Sequence, residues 1–132
     1  MKLIIGGSYQ GKLNYVLEKE ELKLTDVFDG GAHKLEEVYE KSVLNHFHLL
    51  IGRLMEKEYN IDIIMEEIES ILTVNPNIII ITNELGCGIV PMDKQDRVYR
   101  EVTGRICCKL AKRADRVYRV VCGIGTLIKE NI

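Results

Sequence analysis

Residues 1–15 read MKLIIGGSYQGKLNY. Leu3-Ile4-Ile5 is a short apolar run closed by glycine, which is the form of a buried strand over residues 2–6. From Gly6 the spacing runs G-x-x-x-x-G-K to Lys12, and residues 11–21 then carry a helical pattern. A loop of this spacing between a buried strand and a helix holds phosphate for physical reasons. Small residues let the backbone N–H groups of Gly6, Gly7, Ser8, Tyr9, Gln10 and Gly11 surround the oxygens, the helix N-terminus adds its positive dipole, and Lys12 neutralises the outer phosphates. The competing reading is a structural turn with Lys12 in solvent. Leu13 stands where such loops carry a Ser or Thr whose hydroxyl ligates Mg²⁺, and it offers no oxygen. Lewis-acid stabilisation is worth several kcal/mol, so a misplaced Mg²⁺ costs on the order of a hundredfold in rate. Phosphate binding suffers less, because the backbone donors remain.

Outward from the loop, strands and helices alternate. Residues 24–28 form a weaker strand, closed by Asp29-Gly30-Gly31. From His33 to about Glu58, Leu35, Val38, Tyr39, Ser42, His46, Leu49, Leu50 and Arg53 fall on one stripe at helical spacing, which predicts one long helix. His46 then reads as a core or interface histidine, and His48 projects away from the stripe. A second helix follows Asn60, with Ile61, Ile64, Met65, Ile68, Ile71 and Leu72 on one face, and Asn75-Pro76-Asn77 ends it. IIIIT at 78–82 lacks polar alternation, as a strand covered on both faces does. NELGCGIVP at 83–91 is a loop, with Pro91 suited to a helix start. A helix over about 93–114 presents Tyr99, Val102, Thr103, Ile106, Cys107, Leu110, Ala111 and Ala114 on one stripe, and residues 116–123 form a last strand.

This alternation predicts an α/β fold: a three-layer, P-loop NTPase-like domain with a mainly parallel sheet, spanning residues 1–132 as one unit. Ligands of such sheets bind at the carboxyl ends of strands. The glycine loop, Asp29 and the pair Asn83-Glu84 all follow strands and are expected at one edge. Asp29 is a candidate for the Mg²⁺ water shell, and Glu84 a candidate second carboxylate or general base. The alternative for each is a turn or loop residue in solvent.

Of the 132 residues 46% are hydrophobic and 29% charged, with a net charge of −2, which is the balance of an ordinary soluble domain. Nothing in that balance suggests a general nucleic-acid or membrane-surface binder. No apolar run reaches membrane-span length and the N-terminus does not read as a signal peptide, so a cytoplasmic location is expected. None of the four cysteines forms a C-x-x-C pair. They read as free thiols, with Cys107 and Cys122 buried.

The segment NELGCGIVP, together with the downstream RVYREVTGRICCKLAKRADRVYRVVCGI, resembles the bifunctional adenosylcobinamide kinase / adenosylcobinamide-phosphate guanylyltransferase family of cobalamin biosynthesis. Asn83, Glu84, Gly86, Gly88, Ile89, Val90 and Pro91 match a segment of that family, as do Arg97, Arg100, Gly104, Arg105, Ala114, Asp115 and Gly123 further on. The opening glycine loop is similar as well. Departures are Leu13 for a Ser, Cys107-Cys108 for an Asn-Gln pair, and Gly125 for a Pro. VFDG at 27–30 looks like the family's second nucleotide-site strand, which would make Asp29 its carboxylate, with the family segment bearing the guanylylated histidine missing. The resemblance implies GTP or ATP as substrate, catalytic roles for Lys12 and Glu84, Mg²⁺ served by Asp29, and a corrinoid acceptor. It also implies a homo-oligomer, and speaks against a complete guanylyltransferase. The alternative function is a non-catalytic nucleotide- or corrinoid-binding module, and a third reading is a structural protein whose loop binds nothing.

Overall fold

The computed structural model describes residues 1–85 and 93–131. Gly86 to Pro91 of the NELGCGIVP segment, including Cys87 and the proposed helix start at Pro91, lie outside the described residues. The elements run β1 (Lys2–Gly6), α1 (Lys12–Glu20), β2 (Val27–Asp29), β3 (Val43–Asn45), α2 (Phe47–Glu56), α3 (Ile61–Val74), β4 (Ile79–Asn83), α4 (Lys94–Arg113), β5 (Arg116–Val121) and β6 (Ile124–Glu130). One six-stranded sheet has the order β2-β3-β4-β1-β5-β6. Its pairings are parallel except β5 with β6.

The strand residues divide between two cores because successive side chains point to opposite faces. Leu3, Phe28, Leu44, Ile80 and Val117 face α2, α3 and α4. Ile4, Val27, Val43, Ile79, Ile81, Tyr118 and Val120 face α1 through Val16. This is the three-layer α/β arrangement expected from the alternation, with one helix on one face and three on the other. The helical stripes of α3 and α4 are buried as read: Ile64, Ile68, Ile71, Ile106 and Leu110 are all at most 2% exposed. Asn60 caps α3, its side chain accepting from Ile63 N–H at 2.9 Å.

The middle of the chain differs from the expectation. Residues 33–58 are not one helix but a 3-10 turn (Leu35–Glu40), β3, and α2. The helical spacing breaks at Lys41-Ser42, where the chain extends, and Val43 and Leu44 enter the sheet with no exposure. A three-residue strand is too short to display a period of two, so its apolar residues merged with the helical stripe on either side. The last strand stops at Val121, and the chain folds back as β6 through a tight turn at Cys122 (φ 51°) and Gly123 (φ 76°), the pair of positive φ values that a two-residue hairpin loop requires. Cys122 is therefore exposed rather than buried, while Cys107 is partly buried and its thiol is pushed up to about 11 by burial. Cys107, Cys108 and Cys122 are free thiols. No described helix is long and apolar enough to cross a membrane.

Candidate functional site

The glycine loop follows β1 and feeds α1, at the carboxyl edge of the parallel strands. Gly6 passes so close to β5 that a Cβ there would lie 2.6 Å from the Val120 carbonyl oxygen. Gly11 takes a left-handed φ of 82° and begins α1 as its cap residue, a conformation that costs a side-chain-bearing residue more than glycine. The loop is braced on two sides. From β4, Asn83 Nδ2 donates to Ser8 Oγ at 3.0 Å, and Glu84 N–H donates to the Gly6 carbonyl at 3.0 Å. From the β5–β6 turn, Cys122 N–H donates to Gln10 Oε1 at 2.8 Å, and Gly123 N–H donates to the Gln10 carbonyl at 2.7 Å. Tyr9, at φ 59°, stands at the loop's apex in solvent.

Lys12 is 8% exposed, and its Nζ donates to the Gly7 carbonyl at 2.6 Å. The ammonium thus lies inside the loop, with one of its three donors used in that bond. Burial lowers its pKa, and the nearby charge of Glu84 partly counters the shift. Leu13 lines the cleft as well, but it also packs against the core beneath α1.

The cleft above the loop has a volume of about 280 Å³. Its far wall is made by β3 and the start of α2, through Asn45, His46, His48 and Leu49. The unexpected strand therefore carries the histidines into the site. His46 caps α2 in a left-handed conformation, φ 55°, and its Nδ1 lies 3.0 Å from Asp29 Oδ1. His48 is 6% exposed, and its Nδ1 accepts from Asn83 N–H at 3.3 Å. Burial, then the charges of His46 and Lys12, lower its pKa from 6.5 to about 4, so its ring is neutral near pH 7. The two rings meet edge to face with centroids 5.9 Å apart.

The two carboxylates singled out from sequence stand beside the cleft rather than in its wall. Asp29 ends β2, the edge strand, three strand spacings or about 14 Å from β1. Its Oδ1 is engaged by His46 and by Gly31 N–H at 2.9 Å. Partial burial raises the Asp29 pKa, but the hydrogen bonds from His46 and Gly31 and the charges of His46 and His33 bring it below the ordinary carboxylate value. Glu84 forms a two-pronged pair with Arg119, Oε1 to Nε at 2.9 Å and Oε2 to Nη2 at 3.2 Å. Asp29 reads from the sequence as a carboxylate at a strand end, but its strand is the sheet edge farther from the loop than β3. The strand nearer the loop is β3, which ends in Asn45. A cluster of Asn-His-x-His after the apolar pair Val43-Leu44 was the available signal for a strand end rather than a helix interior.

Beside this cleft, and sharing Leu49 with it, a larger one of about 770 Å³ opens between α2 and the first turns of α4. Gly52, Met55, Val98 and Tyr99 give it apolar walls, and Arg53 and Lys94 lie at it too. Tyr99 Oη donates to the His48 carbonyl at 2.6 Å, which fixes α4 against α2.

A mainly parallel sheet with a glycine loop closing on a buried lysine defines a P-loop NTPase-like fold. The chain belongs to the cobinamide kinase / cobinamide phosphate guanyltransferase family, whose model matches residues 12–128 and so begins at the loop lysine. Two curated relatives named bifunctional adenosylcobalamin biosynthesis protein CobU, from Salmonella typhimurium and Escherichia coli, are 46% and 44% identical to it over 52 residues. That stretch is 39% of this chain and 29% of each relative.

Proposed function

We propose that this chain binds the triphosphate of GTP or ATP in the cleft above β1 and transfers the γ-phosphoryl group to a cobinamide-type alcohol. The observation that carries this reading is Lys12, buried with its ammonium against the Gly7 carbonyl of the glycine loop. A phosphate entering the loop replaces one carbonyl contact with several charge-assisted ones. His48, neutral and with Nδ1 already accepting, offers its Nε2–H to a phosphate oxygen. The larger apolar cleft next door gives a bulky acceptor a place beside the phosphates, which supports a corrinoid as partner. Assembly into a homo-oligomer belongs to the same proposal and rests on the family relationship alone.

The donor set fits Mg²⁺ poorly. Among the described residues no carboxylate lines the phosphate cleft, Leu13 supplies no oxygen, and Asp29 Oδ1 is held by His46 and Gly31. Among the described residues no group of three or more His, Cys, Asp or Glu side chains is arranged to hold a metal ion. No step is therefore routed through a metal. These same observations favour a second reading, a nucleotide- or corrinoid-binding module without turnover. Calorimetric titration of GTP and of ATP, with and without Mg²⁺, tests both. Binding that weakens at least tenfold in Lys12→Ala, with label transfer to adenosylcobinamide, supports the kinase. Lysine-dependent binding without transfer supports the module, and no binding at millimolar nucleotide removes both.

A further inference from the structure

We infer that His46 is the general base of the site, taking the proton from the acceptor hydroxyl at its Nε2, and that Asp29 positions it for that role. The inference rests on the phosphoryl-transfer reading and goes beyond it by assigning different tasks to two histidines that line one cleft.

The assignment follows from elimination and from hydrogen bonding. Among the described residues, those that line the phosphate cleft include one lysine and two histidines, and no carboxylate. Glu84 is occupied by Arg119 and Asp29 by His46 and Gly31. A proton acceptor within the wall is therefore an imidazole. The tautomers divide the work. His48 Nδ1 accepts from a backbone N–H, so in its neutral form the proton sits on Nε2 and the ring is a donor. His46 Nδ1 faces an ionised carboxylate at 3.0 Å, so Nδ1 keeps its proton and Nε2 carries the lone pair. The Asp29 carboxylate is itself fixed, by Gly31 N–H at 2.9 Å, while Asp29 N–H donates to His33 Nδ1 at 2.9 Å. A base held by a second group that sets its tautomer and angle is the arrangement general-base catalysis requires. The left-handed backbone at His46 puts local strain at the cleft wall, directly after β3.

The acceptor oxygen bonds to the γ-phosphorus as its proton passes to His46 Nε2. The bond from the γ-phosphorus to the β,γ-bridging oxygen breaks, and its electron pair leaves on the nucleoside diphosphate. The imidazolium, stabilised by Asp29, then returns its proton to water. Among the described residues, Asp29 from β2 meets His46 at 3.0 Å and the His48 ring from α2 stands 5.9 Å from it, while His33 acts on Asp29 and Lys12 on His48.

Two measurements on the full chain test this. Long-range ¹H–¹⁵N spectra of the imidazoles at pH 7.5 read the tautomers without any turnover. The expected result is Nδ1–H for His46 and Nε2–H for His48, and an Nε2–H tautomer at His46 overturns the assignment. Transfer from γ-labelled GTP or ATP to adenosylcobinamide is then followed in His46→Gly, which suits the positive φ, and in His46→Gln. Both are expected to lose about a hundredfold in kcat with nucleotide KM changed by no more than roughly threefold, and exogenous imidazole is expected to restore His46→Gly alone. Asp29→Asn is expected to lose about tenfold in kcat at unchanged nucleotide KM and to weaken the Nδ1–H preference of His46 in the same spectra. Transfer that survives His46→Gly overturns the base assignment alone, and no transfer by the unaltered chain overturns both it and the kinase reading. A phosphoryl label trapped on the protein and lost in His46→Gln also overturns it, because His46 is then a nucleophile.

Discussion

Replacing His48 with Gln is expected to remove a specific part of the protein's acid sensitivity. His48 is 6% exposed, and its pKa falls from 6.5 to about 4 through burial and the neighbouring charges of His46 and Lys12. The folded chain therefore binds fewer protons than the unfolded chain between those values, and stability must fall as the pH drops through them. Above pH 6.5 the group costs nothing, and by pH 5 the unfolded state has gained about 2 kcal/mol relative to the folded state. That figure is an upper one, because water in the cleft screens part of the ring. The lowered carboxyl of Asp29 titrates below this window and does not contribute to it. With a urea dependence typical of small proteins, the unfolding midpoint of the unaltered chain should drop by about 1 M between pH 7.5 and pH 5 on this account alone. Gln keeps an acceptor for Asn83 N–H but has no proton to gain. Urea melts of both proteins at the two pH values give the answer as a difference of differences. Equal pH sensitivity in the two proteins would refute the burial argument and, with it, the neutral donor assigned to His48.

Two further outcomes are expected. Gly6→Ala puts a methyl 2.6 Å from the Val120 carbonyl oxygen, a backbone atom that can yield only if β1 and β5 part, so chemical denaturation should show a loss of about 1–3 kcal/mol, and nucleotide affinity measured by calorimetry should fall with it. The double variant Leu13→Ser with Asn45→Asp supplies the hydroxyl and carboxylate that phosphate loops use for Mg²⁺, and the ratio of nucleotide affinities with and without Mg²⁺ should rise by about tenfold or more, an unchanged ratio meaning that the cleft has diverged at more than these two positions.

Strong local signals carried most of the architecture. β1 and β4 are apolar without alternation because both faces of the sheet are covered, and α3 and α4 each repeat their buried residues over three or more turns. β3 and β6 were illegible for different reasons. β3 is three residues long and lies between a 3-10 turn and a helix whose apolar positions happen to extend its spacing. β6 is an edge strand with most of its residues exposed, so it has no buried face to write a pattern into the sequence. The site divides along the same line. The glycine loop between β1 and α1 was legible because it is contiguous. Asn45, His46 and His48 were not, because they join it only through the pairing of β3 with β4, a contact between segments more than thirty residues apart. Asp29 was found for its place after a strand, but only the strand order reveals that it acts on the cleft through His46.

The hairpin turn at Cys122 and Gly123 gives the phosphate loop a built-in gauge. Its two amide protons are both held by Gln10, one by the side-chain oxygen and one by the carbonyl. They exchange with solvent deuterium when loop and hairpin separate, so their exchange rates measure how often the loop undocks. A ligand that rigidifies the loop must slow both amides, although it need not touch either. Engagement of the loop can thus be followed residue by residue at the opposite end of β5 from Arg116, without a label on the nucleotide.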